Sequence, residues 1–99
     1  MDYLELTEYL KNNHNERENS ITSHKLREIF GICGEDVRRL VNQARKEGYP
    51  ICAYRHGYFY SEKPADVLET VNSLNKRIEG IQRAVNGLIL IQCMKGAKN

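Results

Sequence analysis

The sequence predicts a mainly α fold with one small β-hairpin, followed by a long C-terminal helix. Three observations carry this. Val37, Leu40, Val41 and Ala44 fall at i, i+3, i+4 and i+7 ahead of Gly48, the pattern of an amphipathic helix with a glycine stop. Two β-prone runs, 51–54 and 58–61, flank a short polar connection. From Val67 to Leu88 the apolar residues then recur at spacings of 4, 3, 4, 3, 4 and 3.

Taken in order, residues 3–12 place Tyr3, Leu6, Tyr9 and Leu10 on one helical face, with Glu5, Glu8 and Lys11 off it. Residues 11–20, KNNHNERENS, contain no apolar side chain and are expected to form a solvated loop or frayed helix end, with His14 at the surface. Ile21 is expected in a very short first strand. Thr22 or Ser23 then supplies a capping oxygen for a second helix whose buried face is Leu26, Ile29 and Phe30. Gly31 ends that helix, and residues 31–34 make a tight turn with Ile32 as its apolar plug.

The helix of residues 34–47 leaves Arg38, Arg39, Asn42, Arg45 and Lys46 off its apolar face. After Tyr49-Pro50, where proline blocks helix continuation, the hairpin is expected to turn through Arg55-His56-Gly57 with glycine at positive φ. Tyr58 and Tyr60 share one strand face and belong to the core, while Phe59 points to the other, under the C-terminal helix or in an interface.

Pro64 precedes the last helix, whose first turns hold Asp66 and Glu69 where the dipole favours negative charge. Its seam is Val67, Val71, Leu74, Ile78, Ile81, Val85 and Leu88, with β-branched residues at the a positions, as two-stranded coiled coils prefer. The seam spans roughly 32 Å at about 1.5 Å per residue. It pairs with a second copy, or folds back on its own chain. Gly80 and Gly87 beside it each cost about 1 kcal/mol against alanine. They imply either close approach of another backbone or a weakened helix.

With 99 residues the chain has room for one small domain and an appended element. The expected division is residues 1–62, a globular unit; 63–92, a dimerisation helix; and 93–99, a flexible tail. Hydrophobic residues at 40% and charged residues at 28% place it in the globular class. A net charge of +2 carries no global positive field, so any basic footprint is local.

Cys33, Cys52 and Cys93 form no C-x-x-C pair and are odd in number, which argues against a disulfide framework and a zinc site. Reduced thiols and the absence of a basic leader or an apolar span point to the cytoplasm, with no membrane partner. No nucleophile with a base, paired carboxylates or phosphate-binding glycine loop is present, so neither catalysis nor a cofactor is expected.

Across residues 3–90, FGICGEDVRRLVNQARKEGYPICAYRHGYFY and the following ADVLETVNSLNKRIEGI resemble the small winged helix-turn-helix proteins of phages and prophages. The segment is more distantly similar to the DNA-binding domain of the biotin repressor. The resemblance makes 34–47 a recognition helix, with Arg38, Arg39 and Asn42 toward the major groove and Arg45 and Lys46 further along, near phosphates. Arg55 and His56 on the wing tip would reach the minor groove or the backbone.

Glu35 and Asp36 at the helix start depart from this pattern, since phosphates repel carboxylates, and Cys33 replaces the usual serine cap. Two functions therefore stand side by side. One is a homodimeric double-stranded DNA-binding protein of transcription, replication or recombination. The other is a protein-interaction module directed at a host or phage protein, such as an inhibitor of a host enzyme or defence complex.

Overall fold

The computed structural model describes the backbone of residues 1–98 and the side chains of residues 1–94. Its elements run α1 (Tyr3–Asn13), a single 3-10 turn (Arg17–Asn19), β1 (Ile21–Thr22), α2 (Ser23–Phe30), α3 (Gly34–Lys46), β2 (Ile51–Tyr54), β3 (Gly57–Tyr60) and α4 (Pro64–Lys98). The three strands form an antiparallel sheet in the order β1-β3-β2.

Asp2 caps α1 by accepting from the Glu5 amide at 2.9 Å, which frees the helix to bury Leu6 and Leu10 completely. Residues 11–20 are more ordered than their composition implies. The helix continues to Asn13, and the chain is then tied to β3: the Tyr60 amide donates to the His14 carbonyl and the Glu16 amide to the Tyr60 carbonyl, both at 2.9 Å. Backbone groups make these bonds, so an apolar pattern cannot reveal them. His14 is half-buried rather than at the surface, with Nδ1 2.8 Å from the Asn19 carbonyl and its ring against Tyr9.

Thr22 caps α2, accepting from the Lys25 amide at 3.1 Å. Leu26 is fully buried and Phe30 packs edge-on against Tyr9 at 5.0 Å, but Ile29, expected in the core, is 49% exposed. In a two-turn helix the buried row runs from Leu26 to Phe30, and Ile29 falls about 100° from Phe30. Gly31, at φ 62°, closes the helix as its own amide and that of Ile32 both bond the Arg27 carbonyl. Cys33 then begins α3 without a side-chain cap, and Val37, Leu40, Val41 and Ala44 all reach the core as their spacing requires.

The hairpin is tighter than expected. β3 starts at Gly57, opposite Tyr54, so only Arg55 and His56 form the connection. The positive φ, 55°, belongs to Arg55 and not to glycine. Gly57 is needed for closeness instead: a Cβ there would stand 2.1 Å from the Ile21 carbonyl oxygen, where β1 lies against β3. Ile51 and Tyr60 join the core on one sheet face, while their neighbours Cys52 and Phe59 pair with each other on the opposite face and are buried there.

The outer edge of β2 is covered. The Ala53 amide donates to Thr70 Oγ1 of α4 at 3.2 Å, and Arg45 Nε of α3 donates to the Ile51 carbonyl at 2.8 Å. Arg17 fixes the base of α4 by pairing with Asp66, at 3.5 Å, and with Glu69, while its guanidinium lies 5.0 Å from the Tyr54 ring centroid. Ser61 Oγ donates to Asp66 at 2.7 Å.

From this anchorage α4 runs 35 residues, making the molecule 60 Å long and 31 × 23 Å across. The helix continues to Lys98; Asn99 lies outside the described residues. Among the described residues no helix is long and apolar enough to cross a membrane.

Candidate functional site

Burying Val37, Leu40, Val41 and Ala44 turns the other side of α3 outward, and Arg38, Arg39, Asn42 and Lys46 are all exposed there. The same burial sets α3 beside the hairpin, so that Arg38, Asn42 and Arg45 line one wall of a cleft of about 300 Å³ and Arg55 and His56 line another. Five of the seven residues singled out on α3 and the hairpin therefore come together. Arg39 and Lys46 do not line that cleft.

Arg39 is engaged within its own helix, 3.5 Å from Asp36. Asp36 also accepts from the Cys33 thiol at 3.3 Å, and these contacts, the thiol's first, hold its carboxyl below the usual range for aspartate. One of the two carboxylates at the start of α3 is thus internally compensated. Glu35 remains exposed without an ion-pair partner among the described residues.

Arg45 is placed differently from the other cations of α3. Half-buried, it bonds the β2 edge and its guanidinium stands 6.0 Å from the Tyr58 ring centroid, while Nη2 is buried with no hydrogen-bond partner. Burial pushes its pKa down from the ordinary arginine value, against the partial compensation of Tyr58 and Cys52, and the like charge of Arg77 adds to the lowering. The group stays protonated all the same. Arg55 lies over the outer ring of the hairpin, 5.3 Å from the Tyr54 centroid.

Arg77 completes the cleft from α4, together with Thr70 and Ser73. Sequence reasoning gave it no role. Its only signal was its place beside the apolar seam, since nothing local shows that α4 folds back beside α3 and the hairpin. The cleft lining contains no aspartate or glutamate. No cluster of three or more histidine, cysteine, aspartate or glutamate residues suited to a metal occurs among the described residues.

The seam of α4 divides in two. Val67 and Leu74 are half-buried and line, with Tyr49, Cys52, Thr70 and the more exposed Val71, a second cavity of about 250 Å³ against the domain. Beyond Leu74, the residues Ile78, Ile81, Val85 and Leu88 are exposed, Ile78 at 62% and Leu88 at 69%. The fold-back pairing thus accounts for the first two turns of the seam only.

Comparison of the chain with protein-family models, curated proteins and solved structures finds no match.

Proposed function

We propose that the chain is a winged-helix protein of phage or prophage type that binds double-stranded DNA as a homodimer, in transcriptional control or in replication and recombination. α3 serves as the recognition helix, and the β2–β3 hairpin serves as the wing. The observation that carries this reading is the meeting of Arg38, Asn42, Arg55 and His56 around one cleft free of carboxylates. Arginine and asparagine present the donor and acceptor pairs that guanine and adenine edges require, and the wing cations suit backbone phosphates.

Exposure of the seam beyond Leu74 supports the homodimer. A helix this long keeps so much apolar surface in water only at a cost, and a 4-3 repeat is complementary to a second copy of itself. Two-fold pairing would set two recognition helices on half-sites about one helical turn, roughly 34 Å, apart.

A salt series of duplex binding tests the reading. Wild type should bind mixed-sequence duplex at low salt and lose affinity steeply as salt rises. Arg38→Ala combined with Arg39→Ala should weaken binding about 10- to 100-fold. An absence of duplex binding, or a double variant that binds like wild type, would sink it. Exposed Glu35 and the small net charge favour the second reading, in which this scaffold docks on another protein.

A further inference from the structure

The cleft between α3, the hairpin and α4 gathers four arginines, Arg38, Arg45, Arg55 and Arg77, from three separate elements. None of the four forms an ion pair among the described residues, and no carboxylate lines the space. Like charges gathered around one cleft repel one another, and the charge of Arg77 adds to burial in holding the Arg45 pKa down. Arg45, the most buried of the four, also leaves Nη2 without a partner. Such an arrangement is unfavourable when empty and favourable around an oxyanion, which guanidinium groups grip through paired N–H donors.

The size of the space restricts the ligand. About 300 Å³ accommodates a phosphoryl or pyrophosphoryl group but not a base pair. Ser73 and Asn42 add neutral polar groups to the same walls. We propose that the cleft is a seat for one phosphoryl group, gripped between Arg45 of α3 and Arg77 of α4, with exposed Arg38 and Asn42 left to the base edges of any bound duplex. The shared chemistry is a tetrahedral phosphate oxyanion, supplied either by the phosphodiester backbone of a bound duplex or by a free phosphorylated small molecule. The seat does not depend on the DNA reading, because it requires only the anion.

Two arms on the full chain distinguish the sources, each comparing wild type with Arg77→Ala and Arg77→Lys. In the first, thermal unfolding is followed in sodium pyrophosphate and in sodium chloride of equal ionic strength. The wild-type Tm should rise by about 4 to 8 °C more in pyrophosphate when the ligand stands at roughly five times its Kd. Arg77→Ala should lose that excess, Arg77→Lys should keep part of it, and without pyrophosphate neither should melt below wild type. In the second, the dependence of duplex affinity on salt should become shallower by about one unit of log–log slope in Arg77→Ala.

A response in the first arm alone assigns the seat to a free phosphorylated ligand, and one in the second alone to the phosphodiester backbone. Responses in both assign it to either source. A folded Arg77→Ala protein that matches wild type in both arms overturns the seat. If wild type binds no duplex but retains the pyrophosphate response, the DNA reading fails and the seat stands.

Discussion

Arg55 holds a left-handed backbone, φ 55°, at the point of the hairpin where glycine or asparagine would fit without strain. A non-glycine residue there costs about 1 to 2 kcal/mol. Strain of this kind persists where a side chain is needed, and Arg55 lines the basic cleft. Arg55→Gly is therefore expected to raise stability by about 1 kcal/mol in denaturant unfolding while weakening duplex binding. Gly57 shows the opposite constraint. Gly57→Ala drives a Cβ into the Ile21 carbonyl and should cost about 3 kcal/mol, read as a lower denaturant midpoint. The sequence marks both positions as turn residues but exchanges their reasons, because the register of β1 against β3 decides them and a local pattern contains no register.

Helix α3 and the first half of α4 belong to one device, in which each supplies a group that covers the outer edge of β2. Thr70→Val keeps the shape but removes the hydroxyl that accepts from the Ala53 amide, and should cost about 1 kcal/mol. The apolar periods of α1 and α3 are legible from sequence because each has a single buried face and residues such as Leu6, Leu10, Leu40 and Val41 fill it. Arg45, Arg17 and Thr70 are not legible in this way, since their partners lie on other elements. Gly80 and Gly87 occupy c positions of the repeat, and nothing in the chain lies within 4 Å of a Cβ built at either. In a two-stranded coil these positions face water. Gly80→Ala with Gly87→Ala should therefore raise helix content by circular dichroism and leave the assembled mass unchanged.

At the scale of the whole molecule, a small helical domain with a three-stranded sheet carries an apolar arm that most of its own surface does not cover. The spacing of the seam is visible in the sequence. Its division into an inward part, Val67 and Leu74, and an outward part is not, because the angle of α4 is set by Arg17, Ser61 and the Ala53 amide of β2, all from elsewhere in the chain. The two parts predict different responses. Ile81→Asp, on the outward part, should halve the sedimenting mass without unfolding the domain, whereas Leu74→Asp should also lower stability by placing a charge against Cys52 and Tyr49. The central claim joins the seam to the cleft: two basic faces held by one pair of helices on one duplex. Sedimentation equilibrium of the protein with a labelled duplex of about 30 base pairs, long enough for half-sites one turn apart, tests it directly. The predicted species is two chains per duplex, reduced to one chain or none by Ile81→Asp. A wild-type protein that forms no complex at low salt, or binds as a single chain per duplex, would contradict it.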